Sequence, residues 1–206
     1  MNLRMLKICA TGLAMIPLLG ANCMEDKIVD LIITGSAETE FEATGQVNVY
    51  DETKTVNVKA ELDLAGLLAD NGIDPMDLSE DAVKLSKIYY KVVTPEAGRS
   101  IQNGVLELTR GAVTGILVSG FNADMGAVTD WIEITDLLGV NGVAMLNAFL
   151  RECVLELQGR GLPVDGTFTY HVSGTSNPQN DPSNFVWAVK IQFQGKVPKV
   201  FNLPNI

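Results

Sequence analysis

The chain has 206 residues and a mass of 22.2 kDa, carries 15 Lys and Arg against 25 Asp and Glu, and is 47% apolar. That length suits one hydrophobic core, and the apolar content excludes global disorder. A formal net charge of −10 offers no basic field to a phosphate backbone, so nucleic acid is not an expected partner. One His and three Cys are too few for a zinc site built from those ligands alone.

Arg4 and Lys7 precede an apolar run from Ile8 to Leu19, and Gly20-Ala21-Asn22-Cys23 follows. This is the layout of a secretory signal peptide over residues 1–22. About 12 residues span only ~18 Å as a helix, too short to cross a bilayer core of roughly 30 Å. Cys23 is the candidate lipid-attachment residue, with Ala21 as the small residue before it; ordinary cleavage after Ala21 or after Cys23 is the competing reading. A Cys23–Cys153 disulfide, which an oxidising compartment permits, would use the same sulfur.

The mature chain, 23–206, reads mostly with period two, the signature of antiparallel sheet with one wet and one buried face. Ile28–Ile33 is the first strand candidate. Phe41, Ala43, Val47 and Val49 alternate with a break at Gly45, and Asp51-Glu52 reads as a tight turn before a strand Thr53–Leu62. A helix over 63–71 follows, with Leu64, Leu67 and Leu68 on one face, Asp63 as N-cap and Asn71-Gly72 as stop. Val83–Val93, Val105–Leu108, Val113–Val118 and Trp131–Ile134 are further strands. The second helix, 141–158, carries the stripe Val143, Leu146, Leu150, Cys153, Val154 and Leu157; Asn141 or Asp136 would cap it, and Gly159 and Gly161 end it. Phe168, Tyr170 and Val172 line one side of a strand, and Phe185, Trp187, Val189, Ile191 and Phe193 line another. The turn-rich segment Gly174–Ser183 predicts a hairpin pairing 166–173 with 184–193. About 7–9 strands and two helices, without βαβ alternation, make the chain mainly β: a single antiparallel β-sandwich domain.

The leader, the Leu146–Leu157 helix, and Thr167–Gly174 followed by Phe185–Phe193 together resemble secreted bacterial β-sandwich proteins with lipoprotein-type leaders. The resemblance implies the sandwich fold and a location outside the cytoplasm, in the outer membrane, periplasm or cell surface if lipidated and otherwise secreted.

Catalytic chemistry finds few footholds. His171 is the only His and lies on the polar face of a strand; Ser173 shares that face without forming a triad, and no nucleophile elbow exists. Cys153, on an apolar stripe, reads as a buried thiol. Asp70, Asp74, Asp77, Glu80 and Asp81 are the metal candidates, since a calcium ion takes six to eight oxygens, but their spacing misses the EF-hand loop and a solvated turn with capping acids is the plainer reading. No cofactor is expected. Trp131 and Trp187 are candidates for a carbohydrate platform, although Trp187 alternates with core residues and aromatics are only 6% of the chain. The apolar stretches Ile116–Phe121 and Met125–Val128 read as edges or loops open to a partner, with core packing the plainer reading.

The resulting expectation is a non-enzymatic exported cell-envelope protein with a structural, adhesive or partner-binding role. Membrane contact would come only through the lipid at Cys23, and homo-oligomers would form by adding the segment Lys27–Ile33 as a free strand to a neighbouring subunit. The alternative is a carrier holding a small apolar ligand in a cavity under the 141–158 helix.

Overall fold

The computed structural model describes residues 27–201, with side chains over 30–198; residues 1–26, including Cys23 and the leader, lie outside the described residues. Eight strands form two antiparallel four-stranded sheets. Sheet 1 has the order β1-β8-β3-β6, built from β1 (Lys27–Thr44), β8 (Asn184–Phe201), β3 (Val83–Thr94) and β6 (Ile132–Glu133). Sheet 2 has the order β2-β7-β4-β5, built from β2 (Val49–Asn57), β7 (Thr167–Asn177), β4 (Ser100–Arg110) and β5 (Val113–Asp124). The expected sandwich is present, and both expected helices stand where the sequence puts them: α2 at Leu64–Asp70 and α3 at Val140–Leu157.

Alternation dictates which side chains meet between the sheets. Trp187 sits at the centre, fully buried, with ring centroids of Phe41 (5.4 Å) and Tyr90 (6.5 Å) from sheet 1 and Phe121 (5.6 Å) and Tyr50 (6.1 Å) from sheet 2 around it. Each buried large side chain contributes roughly 1.5–3 kcal/mol of transfer free energy. The indole N–H needs an acceptor in this dry interior; it donates to Tyr50 Oη at 2.9 Å, and Tyr50 donates onward to Glu52 Oε2 at 2.7 Å. Burial raises the pKa of both Tyr50 and Glu52. Under α3, Leu146, Phe149, Leu150, Cys153 and Val154 enter the same core, and Phe149 meets Phe168 edge-on at 5.0 Å. The stripe expected to line a ligand cavity is therefore occupied in packing.

Four local expectations need correction. The segment 58–62 is not strand: β2 runs straight through Asp51-Glu52 and ends at Asn57, after which α1 (Val58–Leu62) begins. Val58 and Leu62 satisfy a spacing of four as well as two, and the Asn57 side chain accepts from the Ala60 N–H at 3.1 Å, which starts a helix. The real turn precedes β2, where Gly45 and Asn48 adopt positive φ. Second, β7 and β8 do not form a hairpin. They belong to opposite sheets, and residues 178–183 cross between the layers. Third, α3 has no side-chain cap from Asn141 or Asp136. Its N-cap is Gly139, whose N–H donates to Leu117 O at 2.8 Å, so the helix start is bonded to β5 instead. Gly142 makes this approach feasible, because a Cβ there would run into the Ile116 carbonyl and Leu117 Cα. Finally, Lys27–Ile33 is not a free strand: it pairs with 195–201 of β8 in an unbroken register.

Candidate functional site

Four strands bound the two sheets: β1 and β6 in sheet 1, β2 and β5 in sheet 2. Because β6 is only two residues long, the adjoining edge of β3 is closed mainly by side chains. The N–H groups of Leu85, Ile88 and Val92 donate to Asn147 Oδ1 (2.9 Å), Thr135 Oγ1 (3.2 Å) and Thr129 Oγ1 (3.0 Å). The β5 edge is closed by Leu138, which bridges to Val118, and by the Gly139 bond to Leu117. On β2, the Gln46 amide takes both backbone groups of Asp51.

The β1 edge differs. The Lys54 ammonium caps Glu40 O at 2.6 Å, and the Glu42 N–H meets the Glu52 carboxylate, so even-numbered residues turn their backbone groups away from β8. The register is continuous, which extends this orientation to Asp30, Ile32, Thr34, Ser36 and Glu38. Among the described residues, no hydrogen bond reaches the outward backbone groups of that stretch. Ile32 is 54% exposed beside it.

The outer face of sheet 1 carries a second feature. Lys190 Nζ lies 4.2 Å from the Trp131 ring centroid and 4.8 Å from that of Tyr89, and Lys91 Nζ lies 4.7 Å from Trp131. Register makes this cluster: Lys190 faces Tyr89 across the β3–β8 ladder and Glu38 across the β1–β8 ladder. Burial pulls Lys190 below the usual lysine range, Glu38 opposes, and Lys91 adds to the lowering. Lys87 on the same face is paired with Glu133 at 2.7 Å. The two tryptophans thus divide. Trp187 is core, whereas Trp131 is half-buried on the outer face.

His171 occupies the outer face of sheet 2. Its Nδ1 lies 3.0 Å from Glu107 Oε2 and its Nε2 lies 3.0 Å from Asp51 Oδ1, so each ring nitrogen meets a carboxylate rather than a hydroxyl. Glu107 raises the His171 pKa above its ordinary value of 6.5, and Asp51 adds to the rise against partial burial. Cys153 is buried, and burial pushes its thiol up to about 11, which removes the thiolate that reactivity requires.

The acidic candidates are not gathered. Asp70 ends α2, Asp74 caps the turn at Pro75–Asp77 by accepting from the Met76 N–H at 2.9 Å, Asp77 is exposed in that turn, and Asp81 is exposed beyond it. Glu80 binds Arg151 and Arg160, which hold its carboxyl below the usual range. Among the described residues, no group of three or more His, Cys, Asp and Glu is disposed to hold a metal ion.

Phe121 and Met125, in the stretches read as edges or loops, are buried, while Ile116 and Val128 are exposed. Sequence reasoning missed Arg99, which is 2% exposed. Its Nε and one terminal nitrogen donate to Glu96 Oε1 (3.0 and 2.7 Å). The remaining donors reach Ser176 Oγ (3.2 Å), Pro178 O (2.8 Å) and Pro182 O (3.1 Å). All five guanidinium N–H groups are thereby used, and the crossover 178–183 is fastened at both ends. Among the described residues, no helix is long and apolar enough to cross a membrane.

No family model matches the chain, and no curated protein matches it. Among solved structures, that of Desmodium yellow mottle tymovirus is 13% identical with a TM-score of 0.33, over 93% of this chain and 98% of that one. Turnip yellow mosaic virus gives 13% and 0.29 over 84% and 97%. Infectious bursal disease virus, Gt strain, gives 6% and 0.24 over 89% and 38%. Likeness at these scores carries nothing about function.

Proposed function

We propose that this is an exported, non-enzymatic protein of the cell envelope, tethered by lipid at Cys23 or released, whose role is structural or partner-binding through the β1 edge. The observation that carries the reading is the backbone row at Asp30–Glu38, which no described residue caps, set against the side-chain and helix caps on β3 and β5. Unpaired N–H and C=O groups on a long edge strand are a template for an added strand, which natural sheets otherwise guard against. A second copy of the chain is the partner in this reading. The location rests on the leader and on the resemblance to secreted sandwich proteins. Carboxylates on both His171 nitrogens and the buried Cys153 support the non-enzymatic part.

Thr34→Pro tests the edge. The Thr34 N–H faces away from β8, so proline removes an edge donor while leaving the intramolecular ladder intact. Sedimentation velocity of the wild type should show concentration-dependent assembly, and the variant should remain monomeric. A wild type that stays monomeric at its solubility limit ends the edge reading. Intact mass from membrane and soluble fractions tests the tether: a chain beginning at Cys23 plus acyl chains is expected, and an unmodified mass in both fractions removes it.

A further inference from the structure

We propose that Trp131, Tyr89, Lys91 and Lys190 form a binding surface for an acidic carbohydrate, a chain of uronic-acid sugars whose carboxylates are taken by the two ammonium groups. The inference rests on the outer face of sheet 1 and is independent of the β1 edge.

The first ground is where the lysines are held. Lys59, Lys87, Arg110, Arg151 and Arg160 are spent on the carboxylates of Glu156, Glu133, Glu152 and Glu80, while the exposed Lys54, Lys84 and Lys196 have neither an ion pair nor a ring beneath them among the described residues. Lys91 and Lys190 make no ion pair among the described residues and lie over aromatic rings instead. A ring quadrupole holds an ammonium in place without neutralising it, so two positioned charges remain available to an anion. The second ground is proximity. Both ammoniums lie within 4.7 Å of one indole centroid, so two like charges share one small site.

The surroundings select the ligand. Glu38 faces Lys190 across the β1–β8 ladder, and Glu133 faces Tyr89 across the β3–β6 ladder. These carboxylates repel a dense polyphosphate but accept hydrogen bonds from sugar hydroxyls. The half-buried rings of Trp131 and Tyr89 offer apolar area to the C–H flank of a sugar. One carboxylate per sugar, with hydroxyls between, matches two lysines inside an acidic rim.

The test is calorimetric titration of the full chain with tetragalacturonate, with a neutral cellotetraose control and a single-stranded oligonucleotide as competitor. Binding of the acidic tetrasaccharide is expected. Lys91→Ala and Lys190→Ala should each weaken it about tenfold, Trp131→Ala should weaken it comparably, and affinity should fall as salt rises. Emission of the buried Trp187 reports that each variant has kept its core. Absence of binding by a folded wild type overturns the proposal, as does binding that survives the double lysine substitution. Equal binding of cellotetraose overturns the assignment of charge recognition, and preferential binding of the oligonucleotide overturns the assignment to carbohydrate.

Discussion

Arg99 and His171 are both gripped by polar partners from several directions, yet their surroundings differ. Arg99 is buried and spends every donor on the 96–99 turn, Ser176 and the crossover between sheets. The His171 side chain is 35% exposed and is held by two acids on a wet sheet face. Water screens the second and not the first. Losing one partner in the interior strands charges and carbonyls without solvent, whereas losing one on the surface hands its partners back to water. The difference teaches that the number of contacts is a poor guide to energetic weight, and that burial decides it.

The sharpest way to break this comparison is Arg99→Ala. Glu96, Ser176 and the carbonyls of Pro178 and Pro182 lose their donor together, and a loss of about 3–5 kcal/mol in urea unfolding is expected. A loss below about 1 kcal/mol would show that the crossover is held without the guanidinium. Arg99→Lys keeps the charge but cannot fork to these acceptors, and should recover only a minor part.

A neutral buried group should fall lower. In Tyr50→Phe the Trp187 N–H loses its acceptor inside the core, at a cost of roughly 1–3 kcal/mol. Thermal unfolding with a red-shifted Trp emission checks it, and an unchanged melting temperature would mean that the indole finds another acceptor. Next comes Thr129→Val, which removes the cap on the Val92 N–H and should cost about 1 kcal/mol. Amide exchange of Val92 should accelerate while that of Ile191, in the adjoining strand, should not.

The smallest effect belongs to His171→Gln, and it should depend on pH. The folded-state pKa is raised above the ordinary 6.5, so the imidazolium's contribution is fully present below that value and is lost as pH rises through the higher folded value. The melting temperatures of wild type and variant should differ near pH 5.5 and converge by about pH 9. A constant difference across that range would assign His171 a packing role rather than an ionic one.

Much of the fold was legible because it rests on local periodicity. The Phe185–Phe193 alternation placed Trp187 in the core, and the leucine spacing with Asp63 and Gly159 located α2 and α3. Failures came where one pattern fits two structures. Val58 and Leu62 obey both periods, and a segment rich in Gly, Pro and Asn between two strands serves a hairpin and a layer crossover equally. The surface clusters were legible only in part. The polar strand face of His171 was readable, but Glu107 and Asp51 lie 64 and 120 positions away and meet it only through strand register. Arg99 follows a turn glycine and belongs to no periodic pattern, so nothing local marked it as buried.

The pairing of β1 with β8 joins residue 27 to residue 201. During synthesis from the N-terminus, the first strand made must wait for the last before its ladder can close, and loop-closure entropy then opposes a contact between nearly the two ends of the polypeptide. Sheet 2 escapes this delay only in part: the β4–β5 hairpin is local, whereas β2 must find β7. Until Asn184 and the residues after it have emerged, β1 has no strand to pair with. In a newly made chain the leading strand therefore waits longest for its ladder, and its backbone groups stay open to capture by another strand before it finds its own.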